Sequence, residues 1–164
     1  MTIFGKQKFE TLKKNSFTYF RNNHYYLQPI VDELWHHLCI TWSNEDGKSQ
    51  VFLDGVLKKT MLGFRNNVMV PSGGILRIGQ QQSVFGGNHN PSQRYLGKFA
   101  HFNVWSFVLP NPVITALSQG PGTENGDVIS WRNLRTKTHG NVMAQEIADI
   151  QLAGERVGAG AEEK

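Results

Sequence analysis

Trp35-His36-His37-Leu38-Cys39-Ile40-Thr41-Trp42 is followed by the turn formers Ser43-Asn44-Glu45-Asp46-Gly47 and then by Ser49-Gln50-Val51-Phe52-Leu53. Two short apolar and aromatic runs on either side of a polar, glycine-ended turn predict a pair of antiparallel strands. Asp54-Gly55 ends the second strand, and the chain resumes at Val56-Leu57.

The same reading extends in both directions. Ser16 to Phe20 and Tyr25 to Leu27 read as a hairpin closed by Arg21-Asn22-Asn23-His24. Gly74 to Gly79 and Gly97 to Trp105 read as further strands, and in the second both alternating faces carry bulky side chains, as inside a two-sheet sandwich. Pro112 to Ser118 reads as a short helix, with Pro112 in its first turn and Gly120 as its stop. A loop of turn formers from Gly120 to Asp127 leads to a last strand around Val128-Ile129-Ser130-Trp131.

From about Ala144 the composition changes. Glu146 to Leu152 could form a short helix before a Gly-, Ala- and Glu-rich end, so residues 1–143 are expected to be one domain and 144–164 a divergent, disordered tail. A chain of 164 residues with 39% hydrophobic side chains can bury one core. Its 17 Gly and its 4 Trp, 4 Tyr and 10 Phe sit among short runs with little helical periodicity, so the fold class is all-β.

The stretch Gly79-Gln80-Gln81-Gln82-Ser83-Val84-Phe85-Gly86-Gly87-Asn88, with Ser92-Gln93 behind it, has the length and glycine spacing of a calcium-binding loop but no carboxylate. Calcium gathers six to eight oxygens and draws tight binding from Asp and Glu, so amides, a hydroxyl and backbone carbonyls would have to serve alone. Read without a metal, the loop is a hairpin with Gly86 and Gly87 as turn residues.

The formal net charge is +4, and the densest basic set is Lys6, Lys8, Lys13, Lys14 and Arg21. It lies among strand aromatics without a nucleic-acid-binding motif, so it reads as a solvated face, with no nucleic acid as partner. No run approaches the length of a membrane span, and the first 30 residues lack the pattern of a signal peptide. Adjacent strand residues face opposite sides, so His36 and His37 do not share a metal. The acids sit in turns, loops and the tail, with no two on one strand face, and no nucleophile elbow, zinc motif or phosphate loop occurs; catalysis is not expected. The single cysteine, Cys39, reads as a buried core thiol.

Taken in order, Trp35 to Trp42, Val51-Phe52-Leu53-Asp54-Gly55, Gly74 to Gln80, Phe85-Gly86-Gly87, Phe102-Asn103-Val104-Trp105 and Val128 to Trp131 resemble the pentraxin family, closest to its long, neuronal-type members. The resemblance runs from Trp35 to about Val142, with an extension back to Thr2. It implies a two-sheet antiparallel jelly-roll sandwich with one helix and an extracellular, secreted module that forms homo-oligomers. It also implies paired calcium ions that grip phosphocholine-like groups or glycans.

Carried over position by position, the family's calcium ligands fall at Asn15, Gln81, Gln82, Ser83, Asn90 and Gln93. Gln81, Ser83 and Asn90 stand where the family has carboxylates, and Lys14 adds a positive charge, so the site is expected to be degraded and calcium not to bind as in relatives. Cys39 matches a disulfide position whose partner is absent. Set against a complete domain of about 200 residues, the family's first strands would precede Thr2. Two function classes follow: a pattern-recognition, lectin-like module, or an adhesion and assembly module of a larger extracellular protein. A shortened paralogue without activity is the third reading.

Overall fold

The computed structural model describes residues 2–9, 16–20, 23–26, 34–120, 123–134, 137–138, 140 and 142–143, with side chains from residue 34 onward except at 81, 88–91 and 93. Five strands form one antiparallel sheet in the order β6-β5-β4-β1-β9. They are β1 (Thr2–Phe9), β4 (Trp35–Trp42), β5 (Ser49–Leu53), β6 (Val56–Met61) and β9 (Gly97–Trp105). Two hairpins stand outside it, one of β2 (Ser16–Phe20) with β3 (Asn23–Tyr26) and one of β7 (Gln80–Val84) with β8 (Gly87–Arg94).

The opening stretch earns its place by burial. From His36 to Trp42 every residue of β4 is buried, which is what a strand covered on both faces requires and what its apolar and aromatic residues supply. Register sets Cys39 opposite Phe52 on one side and Phe4 on the other, while Leu38 and Ile40 face Leu53 and Val51. One face of the sheet carries the cluster Cys39, Phe52, Trp105, Leu109 and Ile114, with Leu117 packed against it. The other carries Leu38, Ile40 and Val51, with Met61 beside them.

Helix α1 (Asn111–Gln119) covers the first face. Pro112 lies in its first turn, Ile114 is fully buried, and Gly120 donates its N–H to the Leu117 carbonyl at 3.3 Å. The helix is seated on the β5–β6 turn: Thr115 Oγ1 donates to the Gly55 carbonyl at 3.0 Å, and a Cβ on Gly55 would come within 2.5 Å of Ser118 Oγ. Gly55 also holds φ +74, so both close approach and backbone require glycine there.

Two irregularities shape the sheet. Between β1 and β9 the register shifts after Phe4, and His101 takes φ +55, which marks a bulge in β9. Between β5 and β6, Val51 pairs with Lys59 and Phe52 with Leu57, which leaves Lys58 as the extra residue.

The end of β9 is tied to the following chain by a buried amide. Asn103 Oδ1 accepts the N–H groups of Gly126 and Trp131, each at 3.1 Å, and its Nδ2 donates to the His101 carbonyl at 3.1 Å. Gly126 lies so close that a Cβ would overlap backbone atoms of Val104 and Ile129.

Several expectations are corrected. Gly74 to Gly79 forms no ladder: Gly73 and Gly79 hold φ +79 and +87, and the intervening residues are exposed, so the run lacks the paired partner that makes an apolar segment a strand. The last strand reduces to a single bridge, Val104 with Ile129, because residues 131–134 turn into a second short helix, α2 (Trp131–Leu134). β6 runs on to Met61, beyond the expected Leu57, and the first hairpin closes more tightly, with Phe20 opposite Asn23. Leu27 and the tail from residue 144 lie outside the described residues. No helix among the described residues is long and apolar enough to cross a membrane.

Candidate functional site

The glutamine-rich loop forms the β7–β8 hairpin. Gln82 pairs with His89 and Val84 with Gly87 across the two-residue turn Phe85-Gly86, where Gly86 takes φ +74. Gly87 is thus the first strand residue of β8 rather than a turn residue. At the base Gln80 pairs with Arg94, and the Gly79 carbonyl accepts the Tyr95 N–H at 2.7 Å.

Between these pairs the strands are unequal. Gln80 to Gln82 is matched against His89 to Arg94, so β8 carries three extra residues and bows out of the ladder there. Pro91, which has no N–H to give a ladder, sits within that bow. The bow places Asn90 to Gln93 along the stretch opposite Gln81, so three of the sequence-predicted positions, Gln81, Asn90 and Gln93, share one part of the hairpin by backbone placement. Asn15 lies outside the described residues.

Gln82 has a structural task that its sequence position did not reveal. Its Oε1 accepts the Gly86 N–H at 2.9 Å, and its Nε2 donates to the Ile75 carbonyl at 3.1 Å. One side chain therefore closes the turn and ties it to the preceding segment, a job that a bare loop rich in glycine needs done. The available signal was a Gln four residues ahead of a turn glycine. Ser83, next along the strand, is exposed.

Three acids elsewhere, Asp54, Asp127 and Asp46, are engaged, whereas Glu124 buries its Oε2 without a hydrogen-bond partner among the described residues. Asp54, in the β5–β6 turn at φ +51, accepts His36 Nδ1 at 2.8 Å through one carboxylate oxygen and the His37 N–H at 2.8 Å through the other. Asp127 accepts the Ser106 N–H at 2.8 Å and the Ser106 hydroxyl at 2.5 Å, and these bonds hold its carboxyl below the ordinary carboxylate range. In the β4–β5 turn the Lys48 N–H bonds Asp46 and lowers it likewise. Cys39 is fully buried, as expected, and desolvation pushes its thiol up to about 12. Among the described residues, no three His, Cys, Asp or Glu side chains gather where they could hold a metal.

The Pentaxin family model matches residues 9–146. A pentraxin fusion protein of Xenopus laevis is 33% identical over 108 residues, which cover 66% of this chain and 26% of that protein. Neuronal pentraxin-2 of Cavia porcellus is 34% identical over 106 residues, 62% of this chain and 24% of that one. A rat protein named for its Sushi, von Willebrand factor type A, EGF and pentraxin domains is 31% identical over 69% of this chain, which spans only 3% of its length. The chain thus spans about a quarter or less of these relatives. Among solved structures, the heptameric SAP-like pentraxin of Limulus polyphemus superimposes with a TM-score of 0.68 at 22% identity, covering 79% of this chain and 75% of that one.

Proposed function

The chain belongs to the pentaxin family, with its jelly-roll fold, and on that premise we propose that it is a non-enzymatic, extracellular ligand-recognition module whose hairpin works without calcium. The observation that carries this reading is the use of Gln82. Its amide oxygen is already taken by the Gly86 N–H, and the amide bridges the turn to Ile75, so the hairpin is closed by side-chain hydrogen bonds.

The donor set does not fit the ion. Calcium needs six to eight oxygens with negative charge among them, and β7 and β8 contain neither Asp nor Glu. Ser83 offers one neutral hydroxyl, while Arg94 stands at the base of the same hairpin as a cation. The Gln81, Asn90 and Gln93 positions would add neutral amides at most. Paired-calcium capture of phosphocholine is therefore not assigned to this chain.

Titration calorimetry with calcium, alone and with phosphocholine, tests the reading. We expect no heat of site binding up to millimolar calcium. Saturable heat at about 1 mM or tighter, the affinity range of extracellular calcium modules, would overturn it.

A further inference from the structure

The tip and the base of the β7–β8 hairpin carry side chains that the fold does not use. At the tip, Val84 and Phe85 are 56% and 77% exposed. Ile75, itself 42% exposed, lies against the same turn, with its Cδ1 3.2 Å from where a Cβ on Gly86 would stand. Single exposed apolar residues are ordinary, whereas apolar side chains gathered about one turn mark a surface that meets something.

At the base, Arg94 pairs in register with Gln80, and Arg77 lies two residues before the Gly79 carbonyl that accepts the Tyr95 N–H. Lys98 follows three residues after Tyr95, near the start of β9. Arg77, Arg94 and Lys98 are exposed and make no ion pair among the described residues. From Gly55 to Thr123 the chain has no Asp or Glu, against Lys58, Lys59, Arg65, Arg77, Arg94 and Lys98. Val84 and Gln80 are four residues apart, so about 13 Å of strand separates the apolar tip from the cationic base. An apolar element lying in a membrane interface reaches about 5–10 Å into the headgroup–acyl boundary, which leaves a base at that distance level with the charged headgroups.

We infer that this hairpin docks on an anionic lipid surface, with Val84, Phe85 and Ile75 entering the headgroup–acyl boundary and Arg77, Arg94 and Lys98 meeting the lipid phosphates and carboxylates. The inference rests on the hairpin being the recognition surface and uses no metal. A second copy of the chain fits worse, because it would set an acid-free cationic surface against itself. A nucleic acid fits worse too, since it would leave the apolar tip without a partner, and the nearby Tyr95 ring is edge-on to Phe99 with its hydroxyl bonded to the Lys98 carbonyl.

The test is cosedimentation of the whole chain with vesicles in EDTA, using phosphatidylserine and phosphatidylcholine in equal parts against phosphatidylcholine alone. Binding is expected only to the anionic vesicles and should weaken with salt. Phe85→Ser should lower the partition coefficient at least about tenfold, the loss from one aromatic left in water. Arg94→Glu should lower it about fivefold or more, the weight of one cation near such a surface. Lys58→Glu changes net charge equally on β6, the strand at the far end of the sheet order from β9, and should leave binding within about twofold. Phe85→Trp should bind as the parent does and gain fluorescence quenching by brominated lipid. Melting curves confirm that each variant is folded, as substitutions at exposed positions should be.

The proposal is overturned if Phe85→Ser binds unchanged, if Lys58→Glu loses as much as Arg94→Glu, or if a single-stranded RNA binds more tightly than the vesicles. No vesicle binding in EDTA or in calcium overturns this proposal alone and leaves the metal-free reading of the hairpin in place. Binding that appears only on adding calcium overturns both.

Discussion

The sheet–helix core and the β7–β8 hairpin belong to one chain but are held by different forces. In the core, Cys39, Phe52, Trp105, Leu109 and Ile114 are almost wholly removed from water, and dispersion and apolar burial fix them without any one bond being decisive. In the hairpin, the described side chains are exposed or half-exposed, and one amide, Gln82, secures the turn through two bonds that compete with water. Burial makes the first region stiff and chemically mute. The second is free to vary in chemistry, because its shape asks little of its side chains beyond Gly86 and Gln82.

The contrast can be broken first at its strong end. Ile114→Ala should destabilise the domain by about 3 kcal/mol, through lost burial and the cavity left under α1; denaturant unfolding measures it, and a loss under about 1 kcal/mol would mean that the helix is not seated as described. Asn103→Leu should cost about 2–3 kcal/mol, since the Gly126 and Trp131 N–H groups lose their acceptor. Asn103→Asp keeps an oxygen acceptor and should lose less, provided the added charge stays hydrated.

Gln82→Ala sharpens the comparison from the other side. The global unfolding free energy should fall by less than about 1 kcal/mol, the usual worth of exposed hydrogen bonds, while amide exchange at Gly86 accelerates. A cooperative loss of the whole fold would show that the hairpin is not a separate, lightly held unit.

Titration probes the interior of the sheet–helix core and its rim at the two pH extremes. The Cys39 thiol, raised to about 12 by burial, should react with a disulfide reagent at pH 8 only as fast as the core opens, and rapidly once denatured. A group raised in the fold contributes stability that is intact below its unfolded pKa and lost as pH climbs towards the folded one, so alkaline unfolding should fall between the ordinary 9.0 and about 12. Asp127 has the opposite sign. Its folded pKa lies below the ordinary 3.8, so its contribution is present above that value and lost as pH falls through the lower one. Asp127→Asn should flatten the acid limb of the melting curve slightly, the smallest of these effects because the carboxylate is at the surface.

The two regions were unequally legible in the sequence. β4 and β9 are legible to the residue because tryptophans and alternating bulky residues bound them, while Pro112 and Gly120 punctuate α1, whose ends fall one residue outside the expected Pro112 to Ser118. Gly74 to Gly79 has the same apolar character but no strand pairs with it among the described residues, and pairing is a property of the chain's return path, not of six residues. Val128 to Trp131 failed for a related reason: Asn103, some 28 residues away, takes the Trp131 N–H that a strand would have given to a ladder. At the hairpin, composition revealed the missing carboxylates, and Gly86 marked the turn. The three-residue bow in β8 was hidden, because it exists only as a mismatch in length between two strands.

The irregular pairing at Lys58 bears on how copies of this domain behave when crowded. β6 is the end strand of the five-stranded sheet, and an end strand that is straight and apolar invites another chain to continue the ladder indefinitely. Here the extra residue at Lys58 breaks the regular spacing of backbone donors and acceptors, and Lys58-Lys59 places two positive charges at the point where an incoming identical strand would bring two more. Fibrillar growth from this edge is thereby opposed twice, by geometry and by charge.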